Sequence, residues 1–205
     1  MAAQDGATLS LEGCDLTSFE ADVVEIVDPG TTLSMSGCCI HDGRSGGVVI
    51  CDGARATLQN NNIHSNNQAG VHVQDEGSQA VLRGNHIHTG KRGGVLIDDN
   101  AKASLENNII ANNDLAGITI AFHATVTLTD NTIKGNGQCT IERAEEELAA
   151  WPEAKATVYR SSTGFPGARI LLHSTVTMPV GSNTIEGNGK VGSIGEQVVV
   201  DETSV

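Results

Sequence analysis

Two columns of chemically capable side chains recur at nearly constant spacing along this 205-residue chain. The first is imidazole: His41, His64 and His88, 23 and then 24 residues apart. Imidazoles in line are metal ligands and proton carriers near neutral pH. The second is carboxylate: Asp28, Asp52, Asp75 and Asp99, with Glu76 and Asp98 beside it. Stacked carboxylates suit Ca2+, which prefers clustered oxygen donors. They also suit glycoside hydrolysis, in which two carboxyl groups work roughly 5–9 Å apart. Asp52, Asp75 and Asp99 are therefore candidate Ca2+ ligands, and Asp75, Asp98 and Asp99 candidate catalytic acids. Arg44, Lys91 and Arg92 form a looser basic column from which a lyase could draw a base, though no spacing singles one out. No G-x-S-x-G, Walker loop or H-E-x-x-H motif occurs.

Both columns also have a plainer reading. Asp is a turn former, and this column falls where each repeat turns. The imidazoles, if carried on successive coils about 4.8 Å apart, would spread the outer two over nearly 10 Å, too far for one ion. His41, His64 and His88 then read as a solvent-facing polar stack, and they are taken, with Trp151, as partner-contact residues.

What must position these columns is a repeat. A hydrophobic anchor, mostly preceded by Asn or Cys two residues earlier, returns at Leu16, Ile40, Ile63, Ile87, Ile110, Ile133 and Ile185. The gaps are 24, 23, 24, 23, 23 and then 52 residues, the last read as two periods plus a few residues. A period in the low twenties is the mark of a solenoid. Five residues before the anchor sit Leu11, Met35, Leu58, Leu82, Leu105, Leu128 and Val180. Two before it sit Cys14, Cys38, Asn61, Asn85, Asn108, Asn131 and Asn183. Seven after it sit Gly47, Gly70, Gly94 and Gly117, followed by Val-x-Ile-type triplets whose middle residue (Val49, His72, Leu96, Thr119) should face outward.

This is period-2 alternation broken by Gly, Asn and Asp, not a helical spacing. The glycines are expected at positive φ before each strand, and the asparagines in the left-handed region or stacked as an amide ladder. The predicted fold is all-β: a single-stranded right-handed parallel β-helix of seven to eight coils. Asn61, Asn85, Asn108, Asn131 and Asn183 form its ladder.

Residues 1–205 are read as one domain, with 1–15 an incomplete first coil and 137–166 an insertion. Within the insertion a short helix is predicted over 141–151, ended by Pro152. Ala156–Val158 is the strand of an otherwise lost coil, and the tail ends in one last strand. The aromatic content is 2% against 39% hydrophobic residues, as a narrow aliphatic core requires. A net charge of −13 argues against nucleic acid and anionic membranes, and no apolar run is long enough to span a bilayer. The start, MAAQDGATLS, lacks a basic head and apolar core, so a cytoplasmic or otherwise intracellular protein is expected. The five cysteines include no C-x-x-C pair and predict no zinc site. Cys14 and Cys38 could bridge adjacent coils, but unbridged inward thiols are the preferred reading.

The segments IHDGRSGGVVI (40–50), NNIHSNNQAGVHV (61–73), NHIHTGKRGGVLI (85–97) and NNDLAGITI (112–120) resemble the right-handed β-helix repeats of the pectin-lyase-like superfamily. More narrowly, they are similar to the CASH-type repeats of β-helix F-box proteins. That resemblance implies protein recognition, although no F-box precedes the repeats here. The superfamily also implies polysaccharide lyases, hydrolases and epimerases. The epimerase Asp-Pro-His signature is absent, since Asp28-Pro29 is followed by Gly30, and only Asp98-Asp99 offers a paired-Asp motif. The function expected is a non-catalytic binding or scaffold domain that meets a protein partner on a flat face. It needs no cofactor, with Ca2+ the ion its acids would hold. The alternative is a carbohydrate-active enzyme using the stacked Asp residues. Few aromatic platforms and the acidic charge, which repels uronate polymers, weigh against that alternative.

Overall fold

The computed structural model describes residues 1–137 in full and, beyond them, the backbone of five short strands: Ala156–Val158, Ala168–Ile170, Thr175–Thr177, Thr184–Glu186 and Val198–Val199. Residues 1–137 wind into a parallel solenoid with three strands per turn. The first sheet stacks three-residue strands such as Val48–Ile50, Val71–Val73, Val95–Ile97 and Ile118–Ile120. The second stacks five-residue strands, among them Thr32–Ser36, Arg55–Gln59, Gln79–Arg83 and Lys102–Glu106. The third carries the anchors, in Asp15–Thr17, Cys39–His41, Asn62–His64, His86–His88, Ile109–Ala111 and Thr132–Lys134.

The register puts like over like. Val71 pairs with Val95 and Val95 with Ile118. Ile63, Ile87, Ile110 and Ile133 pair in succession, as do Leu58, Leu82, Leu105 and Leu128. Alternate residues of each strand point inward, so these aliphatics form one core, with Ile63, Ile110, Leu82 and Val95 wholly buried. The expected outward residues His72, Leu96 and Thr119 are half-buried, but Val49 is covered as well.

Turn chemistry differs from expectation at two columns. The residue in left-handed conformation is the one before the ladder: Gly13, Gly37, Asn60, Gly84, Asn107 and Asp130 all have φ between 54° and 64°. One αL residue bends the chain from the second sheet to the third. That leaves the ladder amides free to turn inward. The Gly47, Gly70, Gly94 and Gly117 column does not occupy positive φ. Its reason is space. A Cβ on Gly94 would lie 2.5 Å from Ile110 Cγ2 and 2.6 Å from the carbonyl oxygen of Gly117. The chain passes too close to the next coil for any side chain.

The amide ladder joins the coils. Asn108 Oδ1 accepts from the backbone N–H of Asn85 at 2.9 Å and from its side-chain amide at 3.0 Å. Asn108 Nδ2 donates to the Leu82 carbonyl and to Asn131 Oδ1, both at 2.9 Å. Asn61 and Asn85 repeat the pattern. At the start of the column Cys38 takes the Asn place: its N–H donates to Asn61 Oδ1 and its sulfur accepts from the Cys14 N–H at 3.4 Å. Cys14, Cys38, Cys39 and Cys51 are all unbridged, so Cys14 and Cys38 form no disulfide.

The coil count is lower than expected, about six turns. The gap of 52 residues is not two periods: Ile185 pairs directly with Ile133. Ile118 pairs with Ala168 and Val126 with Val176. Those offsets are 50 residues in the first two sheets and 52 in the third. The two extra residues therefore lie between Thr177 and Thr184; Val180, expected in the Leu128 column, lies outside the described residues. Ala156–Val158 is a strand, but it pairs on the far side of Thr175–Thr177 rather than beneath it, and Val198–Val199 pairs beyond it. The first coil has all three strands, Ala2–Ala3, Thr8–Glu12 and Asp15–Thr17, and is not incomplete. Its inward Leu9, Leu11 and Leu16 are half-buried against the core. The described residues contain no helix; the one expected over 141–151 lies outside them, as do Trp151 and Asn183.

Asn108→Ala should cost about 2–4 kcal/mol, because it orphans the Asn85 N–H and the Leu82 carbonyl in the core. Asn62→Ala, on the outward face, should cost less than about 0.5 kcal/mol. Urea unfolding of the two variants checks this; equal costs would contradict the ladder.

Candidate functional site

The third sheet carries the imidazoles. Each anchor points inward, so its two strand neighbours point out. One outward column is Asp15, Cys39, Asn62 and His86; the other is Thr17, His41, His64 and His88. Parallel register stacks the rings, with His41 and His64 centroids 5.2 Å apart at 7° and His64 and His88 5.1 Å apart at 17°. His86 lies against His88 at 4.1 Å.

The two ends of the stack differ in charge. His41 Nε2 lies 2.8 Å from Asp15 Oδ1 and its Nδ1 2.7 Å from Asp42 Oδ2. The hydrogen bond to Asp42, followed by the one to Asp15, holds His41 above the usual imidazole range despite partial burial. His88 meets no carboxylate: its nitrogens face Asn62 Oδ1 at 2.9 Å and Thr89 Oγ1 at 3.1 Å. Burial, with smaller contributions from His86 and His64, pushes His88 down to about 4. Between them His64 faces Cys39 Sγ at 3.4 Å and Ser65 Oγ at 3.0 Å. The two ends of the stack are thus pushed in opposite directions, His41 up and His88 down.

The carboxylate column sits in the turns. Asp28, Asp52, Asp75 and Asp99 have φ of 78°, 51°, 74° and 47°. Short polar side chains tolerate this conformation best. Two of them close the coil below: the Asp5 N–H donates to Asp28 Oδ2 at 3.2 Å and the Asp52 N–H to Asp75 Oδ2 at 3.3 Å. The expected Ca2+ set does not converge as drawn. Donor atoms of Asp52 and Asp75 come together with Cys51, all within 4.8 Å, and Asp99 is not in that group. Cys51 donates to the Ile26 carbonyl and is pushed up to about 11 by burial, then by Asp52. The group therefore includes a sulfur and is not the all-oxygen set that Ca2+ prefers.

Asp98 and Asp99 share a different corner. His72 Nε2 lies 3.0 Å from Asp98 Oδ1, both side chains being largely covered. Asp99 is raised by burial, then by the charges of Asp98 and Asp75, and lowered by His72. Of the candidate acids this is the one group the fold gathers with an imidazole.

A second amide ladder escaped the repeat analysis. Asn66 Oδ1 accepts from the Gly43 N–H at 2.9 Å, Asn113 Oδ1 from the Gly90 N–H at 3.0 Å, and Asn136 Oδ1 from Asn113 Nδ2 at 2.9 Å. These residues are three past each anchor. Their signal is the Asn/Gly alternation at that position (Gly43, Asn66, Gly90, Asn113, Asn136).

Family comparison fits this geometry. The model of the right-handed β-helix region matches residues 1–80 and 55–197. The chain belongs to the right-handed β-helix family. Among solved structures it is similar to pectate lyase Pel9A, with 12% identity and a TM-score of 0.51, over 85% of this chain and 52% of that one. It is also similar to the A-module of the Azotobacter vinelandii mannuronan C-5 epimerase AlgE4, with 16% identity and a TM-score of 0.52, over 98% of this chain and 57% of that one. The chain thus spans little more than half the length of either. At such identities the likeness fixes the fold alone. Among curated proteins no significant sequence match is found. No helix of the described residues is long and apolar enough to cross a membrane.

Metal-free protein should show two well-separated imidazole titrations by NMR, His41 above 6.5 and His88 near 4. By linkage, the depressed His88 lowers stability as pH falls from about 6.5 to 4, because the unfolded chain takes the proton first. The raised His41 adds stability that is complete below 6.5 and is lost as pH rises through its folded value. Coincident titrations would contradict the opposite shifts of the two ends.

Proposed function

We propose that the chain is a non-catalytic β-helix binding domain that recognises a protein partner through the flat outer face of its second sheet. One observation carries the reading. The centre of that face is a column of Ser10, Ser34, Thr57, Val81, Ser104 and Thr127, paired coil by coil without a break. Five of these six are hydroxyl residues, short enough to keep the face level. Arg55, Arg83, Lys102 and Glu106 flank it, with Arg83 and Glu106 paired at 3.1 Å. A level polar surface with adjustable charged edges suits another folded surface, which buries its centre and leaves ions at the rim. The resemblance of the repeats to the CASH type supports protein recognition. An intracellular setting belongs to this reading, in line with four unbridged cysteines.

A second reading rests on the His72, Asp98 and Asp99 corner. A raised carboxyl beside an imidazole–carboxylate pair is the raw material of acid–base chemistry on a polysaccharide. Against it, Asp75 is bonded to the neighbouring coil's backbone.

Replacing Ser34, Thr57 and Ser104 together by Arg should abolish capture of the partner from extract while the β-sheet circular dichroism and melting temperature stay unchanged. A polysaccharide panel, assayed with and without Ca2+, should show no turnover. Turnover that disappears in Asp99→Asn would replace the first reading by the second.

A further inference from the structure

The first coil is the least well packed, yet a set of unlike donors gathers on its outer side. Asp15 comes from the first coil, Cys39 and His41 from the second, and His64 from the third. Two positions apart on one strand, Cys39 and His41 share the outward face. Register then places Asp15 beside Cys39, and His64 beside His41.

We propose that this corner is a site for a divalent transition-metal cation, Zn2+ above all, bound by Asp15, Cys39, His41 and His64. Donor atoms of Asp15, Cys39 and His41 already lie within 4.8 Å of one another. Ligands of a tetrahedral zinc ion, at bond lengths near 2.0–2.3 Å, stand roughly 3.3–3.6 Å apart. Of the contacts present, Cys39 Sγ to His64 Nε2 at 3.4 Å falls within that spacing, and His41 Nε2 to Asp15 Oδ1 at 2.8 Å is shorter and would open to admit the ion. The two rings are 5.2 Å apart, so His64 joins by tilting toward its neighbour. His88, one coil further, is excluded: its Nε2 faces Asn62 instead. One sulfur, two nitrogens and one oxygen select a borderline cation over Ca2+.

The surroundings are those of a metal site. Each ligating imidazole would present Nε2 to the ion, and its Nδ1 is held by the next residue in the chain: His41 by Asp42 at 2.7 Å and His64 by Ser65 at 3.0 Å. Asp42 and Ser65 sit at φ of 53° and 58°, the bend that brings each side chain back beside its own ring. Such outer hydrogen bonds orient a ligating histidine and fix its tautomer. Asn62 Nδ2 lies 3.9 Å from Cys39 Sγ, on the side of the sulfur facing the next coil. A bound ion would tie three coils together where Leu9, Leu11 and Leu16 leave the core half open. Cysteine counting passed over this set because it holds a single cysteine and draws Asp15 and His64 from neighbouring coils.

The test is Co2+ titration of the full chain after chelator treatment. One equivalent should produce intense tetrahedral d–d absorption and a thiolate-to-cobalt charge-transfer band, both displaced by Zn2+, and one equivalent of Zn2+ should raise the melting temperature. Cys39→Ser, an outward substitution, should lose the charge-transfer band. His41→Ala should weaken affinity at least roughly tenfold. Cys14→Ser and Cys51→Ser should keep the spectrum. No band in the unmodified chain, or a band that persists in Cys39→Ser, would overturn the assignment.

Discussion

Parallel pairing at a period of one coil places each side chain beside the residue at the same position of the next coil, in the core one of its own kind, and the rest of the structure follows from that constraint. For aliphatics the result is favourable without further adjustment: stacked Val, Ile and Leu bury each other and fill a narrow core. For polar groups it is selective. A carboxamide carries a donor and an acceptor, so it can bond to a copy of itself indefinitely. That is why Asn can repeat along an inward column, and why Asn85 and Asn108 can be almost wholly buried at no lasting cost. Cys38 is a weaker substitute, with one poor donor and one poor acceptor, and it stands where the column starts.

Charged columns must escape the same constraint. Carboxylates one coil apart repel, and the chain sets them in αL turns where they are partly hydrated and can accept an N–H from the coil below, as Asp28 and Asp75 do. Imidazoles escape by differing in their affinity for protons. His41, between two carboxylates, is pushed up, and His88, beside none, is pushed down. The solenoid thus turns a repeated sequence into a gradient, and the differences between coils lie in the outward neighbours: Asp15, Cys39, Asn62 and His86. Whatever chemistry the surface performs is written in such departures from the repeat.

Much of the fold was legible because the repeat is nearly exact where the core demands it. The anchors, the Leu column and the first amide ladder could be read from Ile63, Leu58 and Asn61 onward. What misled was the attribution of causes. Gly94 signalled a bend to a reader thinking of φ, but it is required by the approach of Ile110 and Gly117 from another coil, a contact no local pattern reports. The bend itself falls on mixed residues (Gly84, Asn107, Asp130) that share only tolerance of the left-handed region. The long gap before Ile185 looked like two periods because its length nearly fits. Only pairing shows that Ile133 and Ile185 are neighbours. The donors around Cys39 were visible singly, but their convergence depends on strand register and on which neighbour faces out.

The central claim is that amides stacked on amides hold the coils together, and hydrogen exchange of the asparagine side chains tests it most directly. Measured by NMR, the side-chain NH2 protons of Asn85 and Asn108 should exchange as slowly as the backbone amides of Val71–Val73. Those of Asn62 and Asn100, on the outer surface, should exchange at rates near those of free amides. If all four exchange alike and fast, the ladder does not hold the coils together.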